Sequence, residues 1–223
     1  DVSRHFFTKQ EVKRFIDLMA EYKYNVFHWH LSDDQGWRVE IKSLPRLTDV
    51  GAWRAPRVGN WWEREPQSVT DSLTYGGFYT QDDIREVVEY ARERFITVVP
   101  EIDVPGHSMA LLTAYPEISC TGGPFHVNVG NTFYTKEENS LCVGKEKTFA
   151  ILDMIFDELV DLFPSSYIHI GGDECYKGFW AKCPDCRARM SSKQLQNVEE
   201  LQSYFVKRVA SHIQSKGKHV RSE

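Results

Sequence analysis

A β-prone run followed by a helix-periodic stretch, repeated four times and begun a fifth, is the feature that most limits what this chain can fold into. The first β-prone run is 1–7. Thr8-Lys9-Gln10-Glu11 then reads as a capping box that opens a helix. Behind it Val12, Phe15, Ile16 and Met19 recur at i, i+3, i+4 and i+7, one helix face that ends near Tyr24 and Asn25. Residues 25–31 are the second strand. Thr80-Gln81-Asp82-Asp83 caps a second helix whose Ile84, Val87, Val88 and Ala91 repeat the same spacing, and 96–102 is the third strand. A helix over about 145–163 presents Phe149, Leu152, Phe156, Leu159 and Phe163 on one face. It leads into the β-prone run at Tyr167, and a fourth helix, about 198–216, aligns Val198, Leu201, Phe205, Val209 and Ile213. Lys216-Gly217-Lys218 marks its C-cap, and His219-Val220-Arg221 begins a fifth strand.

Parallel βα units must either close into a barrel or lie open as a doubly wound sheet. The polar residues decide. Arg4; His28, His30 and Asp33; Glu101, Asp103 and His107; and His169, Asp173 and Glu174 all fall at the ends of β-prone runs. Acids and histidines at the C-terminal ends of several strands are the arrangement of a (β/α)8 TIM barrel. A doubly wound nucleotide fold would show a glycine-rich phosphate turn after the first strand, where this chain has Arg4-His5-Phe6-Phe7. The expected fold is therefore α/β, a TIM barrel of which the first four to five units are present, in a single domain over 1–223. Its insertions, about 38–79 and 108–143, carry prolines, glycines and no sustained periodicity.

The charge balance, 27 Lys and Arg against 32 Asp and Glu, leaves no basic patch for nucleic acid. No run approaches the roughly 20 apolar residues that a membrane span needs. The stretch Tyr-Ile-His-Ile-Gly-Gly-Asp-Glu at 167–174 is instead how a strand looks when it delivers two carboxylates to the rim of a sheet.

Five cysteines, Cys120, Cys142, Cys175, Cys183 and Cys186, leave alternatives open. Cys120 and Cys142 flank one loop and could staple it. Cys183-Pro-Asp-Cys186 has the spacing of a redox pair or of half a zinc site, whose nearest further ligands in sequence would be Cys175 and His169. The expectation adopted is no metal and no cofactor. His28 and His30 are read as hydrogen-bonding residues of a layer below the site rather than as ligands. Trp61, Trp62 and Trp180 are candidates either to stack on a sugar or to anchor their loops.

Four segments in this order, Asp1-Val2-Ser3-Arg4-His5-Phe6, the run from His28 to Arg38, Glu101-Ile102-Asp103-Val104-Pro105-Gly106-His107, and His169 to Glu174, resemble the family 20 glycoside hydrolases, the β-N-acetylhexosaminidases. The resemblance covers nearly the whole chain but only the first half to two thirds of that family's barrel. It implies an exo-glycosidase that hydrolyses terminal β-linked N-acetylglucosamine or N-acetylgalactosamine by a retaining, substrate-assisted oxazolinium route. That route is the family's known departure from the two-carboxylate scheme, not something that spacing dictates. By the resemblance, Glu174 is the general acid and then base, protonated at the start in a partly dry pocket, and Asp173 accepts the acetamido N–H. Asp33 and His107 form a network behind Glu174, and Arg4 binds the terminal sugar's hydroxyls. Adjacent residues on a regular strand point to opposite faces, so Asp173 and Glu174 can share a pocket only where the strand has ended.

The alternative is a catalytically incomplete sugar-binding fragment. The family's later strands, which supply a tyrosine and tryptophans around the sugar, have no counterpart here, so the expectation is a portion of a larger barrel, feeble in isolation and able to self-associate through open sheet edges. The location implied is secreted or periplasmic.

Overall fold

The computed structural model describes residues 1–60, 64–130 and 137–222. Helix α1 (Lys9–Glu21) leads to strand β1 (Val26–His30), which is followed by the two-residue strands β2 (Ser32–Asp33) and β3 (Gly36–Trp37). Helix α2 (Arg46–Asp49) and strands β4 (Trp53–Arg54) and β5 (Tyr75–Gly76) lie within the first insertion. Helix α3 (Gln81–Arg92) precedes strand β6 (Thr97–Glu101), and helix α4 (Met109–Ala114) with a 3-10 turn (Pro116–Ile118) opens the second insertion. Helix α5 (Glu146–Leu162) feeds strand β7 (Tyr167–His169). Helices α6 (Gly178–Lys182), α7 (Pro184–Ser192) and α8 (Val198–Ser215) then lead to strand β8 (His219–Arg221).

The central sheet is parallel in the order β1-β6-β7-β8. Each crossover includes a helix whose apolar face was legible in the sequence. Thr8 caps α1 in a box with Glu11, and Thr80 caps α3 in a box with Asp83. Val12, Ile16 and Met19 of α1, Ile84, Val87 and Ala91 of α3, and Leu201, Phe205, Val209 and Ile213 of α8 are all buried. Phe15 departs from that expectation and is 53% exposed.

The helices cover one face of the sheet. In β1 the side chains of Phe27 and Trp29 are buried while Val26 and His28 are exposed, the alternation expected when only one face meets helices. Trp29 packs against Tyr79 and Phe163 on the helix side. A sheet wound on both faces would bury both sets.

Residues 1–7 form no strand, contrary to expectation. The Asp1 carboxylate accepts the backbone N–H groups of Ser3 and Arg4 and turns the chain out of extended geometry. A single backbone bond, Val2 N–H to the His30 carbonyl at 3.3 Å, ties this segment to β1. The central sheet therefore has four strands among the described residues, not five.

The first insertion is ordered by a buried cation. The Arg38 guanidinium, fully buried, donates to the carbonyls of Val2, Ser3, Gln35, Ala52 and Gly77, and so binds the N-terminal segment and both ends of the insertion to one point. Burial pulls it down to about 10, still charged at neutral pH.

Candidate active site

The strand register builds the floor of the site. His30 of β1 stands beside Glu101 of β6, Glu101 beside His169 of β7, and His169 beside Arg221 of β8, so four ionisable residues form one row. His28 lies one pleat below on the same face. All converge on a single carboxylate: Glu101 Oε2 is 2.6 Å from His28 Nε2 and 2.9 Å from His30 Nδ1, and Oε1 is 3.2 Å from His169 Nδ1. The histidines thus hydrogen-bond within a layer, as expected, but through Glu101 rather than to one another. Burial works against the Glu101 carboxylate, yet its bonds to His169, His28 and His30 outweigh burial and hold it far below the usual range. His30 is conversely carried up to about 9, burial being overcome by Asp33 and Glu101.

A second layer stands where the strands end. The small β2–β3 ladder points Asp33 inward, where Oδ2 meets His30 Nε2 at 2.9 Å and Arg4 Nη2 at 2.8 Å. Arg4 also pairs with Asp1 at 2.8 Å. His107 reaches the same group from the loop after β6, its Nδ1 at 3.3 Å from Asp33 Oδ1 and 3.5 Å from Asp34 Oδ2. Asp34 is held in turn by the Met109 backbone N–H at 3.0 Å and the Asn139 amide at 3.2 Å. Burial would push the His107 imidazolium down, but its hydrogen bonds to Asp33 and Asp34 win and carry it up to about 11. Asp33 is held well below the usual carboxylate range, because His107 and His30 together outweigh its own burial.

The other His107 nitrogen faces the rim. Its Nε2 lies 3.3 Å from Glu174 Oε2 and 3.7 Å from Asp173 Oδ2. Strand β7 ends at His169, and Gly171 makes the break possible: its φ is +64°, and a Cβ there would come within 1.9 Å of Asp103 Oδ1. Beyond the break both acids turn to the same histidine, as the strand-end argument required. His107 and Glu174 themselves have φ of +47° and +44°, a left-handed backbone that non-glycine residues seldom adopt.

Asp103 is buried beneath these acids and accepts the Gly172 backbone N–H at 3.3 Å. Burial, reinforced by Asp173 and Asp33, pushes it up to about 8 although His107 pulls the other way. A protonated Asp103 can lie under the acid pair without adding a charge to it.

The structure thus brings Arg4, Asp33, His107, Asp173 and Glu174 into one connected group. Sequence reasoning gave no role to Asp34 or Asn139. Asp34 lay inside a recognised motif, whereas Asn139 sits in an aperiodic loop and carried no signal. Trp180 proves to be an anchor: it is fully buried and donates from Nε1 to the Leu141 carbonyl at 2.9 Å. Trp61 and Trp62 lie outside the described residues. Nor is the pocket dry on this chain, since the Glu174 side chain is 69% exposed. A cavity of about 450 Å³ lies to one side, lined by Arg64, Phe125, Asn128, Glu138 and Phe179 among others, and neither acid borders it. The cysteines also differ from expectation. Cys175 stays apart, while the sulfurs of Cys120, Cys142, Cys183 and Cys186 gather within 4.8 Å of one another.

The catalytic-domain model of glycosyl hydrolase family 20 matches residues 1–222. A β-hexosaminidase of Porphyromonas gingivalis is 44% identical over 98% of this chain, which spans 26% of that relative, and one of Vibrio furnissii is 44% identical, with 35% of its length spanned. Among solved structures, a family 20 exo-β-N-acetylglucosaminidase of Vibrio harveyi with bound N-acetylglucosamine superposes with a TM-score of 0.83 at 39% identity. The match covers all of this chain and 34% of the other. A β-N-acetylhexosaminidase of Bacteroides fragilis gives 0.81 at 39% identity, with 40% of its chain covered.

Proposed function

Because the chain belongs to glycosyl hydrolase family 20, we propose that the polypeptide carrying it removes terminal β-linked N-acetylglucosamine or N-acetylgalactosamine from glycans, with Glu174 as proton donor and Asp173 as partner of the substrate's acetamido group. One observation carries the assignment of roles: a single buried imidazole joins Asp33 on one nitrogen to both rim acids on the other. Glu174, the more exposed acid, is placed to give a proton to a leaving oxygen that arrives from solvent, and later to activate water along the same path. Asp173 lies deeper, its side chain 33% exposed, where a fixed carboxylate can accept the acetamido N–H and offset the charge that develops as the carbonyl attacks the anomeric carbon. His107 links both to the buried carboxylates, and Arg4, 42% exposed above Asp33, has a guanidinium edge available for sugar hydroxyls.

The one-sided helix layer supports reading the sheet as an arc of a (β/α)8 barrel. On that reading the exposed face of β1 is the barrel interior, and Leu18, 52% exposed beside Phe15, belongs to a flank that further elements cover. The chain spans about a quarter to two fifths of the length of these relatives, so walls for the sugar are expected from outside it. The 223 residues by themselves are accordingly proposed to turn over substrate feebly.

Release of chromophore from an aryl β-N-acetylglucosaminide by the complete polypeptide tests the reading. Turnover that Glu174→Gln abolishes, with retained binding of N-acetylglucosamine, is the expected result. Undiminished turnover by that variant would overturn the assignment of the proton donor.

A further inference from the structure

Away from the acids, Cys120 and Cys142 from the second insertion meet Cys183 and Cys186 from the loop after β7. The Sγ separations are 3.8 Å for Cys120–Cys186, 3.7 Å for Cys142–Cys183 and 3.6 Å for Cys142–Cys186, and all four sulfurs lie within 4.8 Å of one another. A tetrahedral zinc thiolate with Zn–S near about 2.3 Å puts its sulfurs about 3.8 Å apart. Two disulfides would instead pair the sulfurs at about 2.05 Å and leave the pairs unequal. We propose that Cys120, Cys142, Cys183 and Cys186 bind one structural zinc ion.

The surroundings are built for such an ion. Cys183-Pro184-Asp185-Cys186 winds into the start of α7, giving the close-spaced ligand pair of a zinc knuckle. The second arm approaches it at Gly144, where a Cβ would come within 2.1 Å of the Asp185 carbonyl carbon, so no larger residue fits between the two arms. Three of the ligands have their backbone fixed: Cys120 N–H by Glu138 at 2.6 Å, Cys142 N–H by the Ile118 carbonyl at 2.8 Å, and Cys183 N–H by the Phe179 carbonyl at 3.0 Å. Lys145, bonded to the Ser119 carbonyl, and Arg189, bonded to the Gly144 carbonyl, hold the chain next to Cys120 and Cys142 in place. On binding, the thiol protons pass to solvent and the dication takes their place. With four protein ligands no position is left open for substrate or water, so the ion's role is to tie two loops together. One loop carries Asn139, the support of Asp34, and the other follows directly on Glu174.

The test is metal analysis of the complete polypeptide, produced in zinc-replete medium and purified under reductant without chelator. One zinc per chain that survives gel filtration is expected, falling to near none in Cys186→Ser and staying at one in Cys175→Ser, whose sulfur lies outside the cluster. Should Cys186→Ser fail to fold, cobalt exchange into the unaltered protein decides: thiolate-to-cobalt charge-transfer bands with the visible bands of tetrahedral cobalt support the site. Metal-free protein that gives no such spectrum, or peptide mapping that finds these four cysteines in two disulfides, overturns it.

Discussion

The floor of the site and its rim use the same two residue types and behave differently. At the floor, Glu101 collects His28, His30 and His169, and its oxygens face histidines on three sides. At the rim, His107 is buried and anchored on one nitrogen, while the other looks toward two acids, one of them largely exposed. The difference follows from where each residue sits on its strand. In-register positions on parallel strands face one another and satisfy one another, whereas residues past the strand ends are placed by loops and can leave a polar edge directed outward. A saturated layer is suited to holding geometry, and a layer with one open side is suited to chemistry.

The sharpest way to break this contrast is at the rim. Glu174→Gln is expected to lower the rate on substrates with poor leaving groups by a factor on the order of 10²–10⁴, with substrate binding nearly kept, because shape survives and the proton does not. Next in size is His107→Gln, which removes a bond from a charged group and is expected to cost about 10–100-fold in kcat. Its distinguishing readout is pH. Since His107 is carried from 6.5 to about 11 on folding, its contribution to stability is complete below 6.5 and is lost as pH rises through 11. Unfolding midpoints of the variant should lack that alkaline decline. If both proteins decline alike, His107 is not the charged anchor of the rim.

At the floor the order of effects should reverse. Glu101→Gln removes one of the two carboxylates that hold His30, leaving Asp33 as its only counter-charge, and is expected to cost about 1–3 kcal/mol in stability while kcat stays within a few-fold. The stability that His30 adds below 6.5 and loses as pH rises through about 9 should shrink in this variant. A collapse of kcat without a change in melting would mean that the floor takes part in the chemistry, and the contrast would fail.

The same contrast governs what was legible in the sequence. Strands and the longer helices could be read because their burial repeats with fixed periods, and α5, α8 and the two capping boxes lie within a few residues of their expected places. The first seven residues misled because their composition is β-prone while the Asp1 side chain bends the backbone, a choice no periodicity encodes. Helix α4 went unseen because Met109, Ala110, Leu111, Leu112 and Ala114 are buried all round and leave no polar face to set a period. Asp33, His107, Asp173 and Glu174 were singled out by their places at strand ends and by the family resemblance, and the structure brings them together. Asn139 and the joining of Cys120 and Cys142 to Cys183 and Cys186 depend on contacts across many residues, which a local reading cannot supply.

The smallest expected effect is the most discriminating, and it falls between the two layers. Asp103 is buried beneath the acid pair and carried from 3.8 to about 8, so the folded protein holds a proton there that the unfolded chain releases. Stability must then fall as pH rises from about 4 toward 8, the opposite of what a salt-bridged carboxylate would give. One interval isolates this group. Midway between 4.5, the ordinary value of glutamate, and 6.5, that of histidine, Glu101 and Asp33 are almost fully ionised and His30 and His107 almost fully protonated whether the chain is folded or not, so among these five Asp103 accounts for nearly all of the proton exchange on folding. Asp103→Asn replaces a neutral acid by a neutral amide of the same shape. It is expected to leave turnover at pH 5 to 6 within a few-fold of the parent and to flatten the dependence of the unfolding midpoint on pH across that interval. An unchanged slope, or a loss of turnover comparable with that of Glu174→Gln, would mean that Asp103 is charged in the folded protein and belongs to the rim's chemistry rather than to its support.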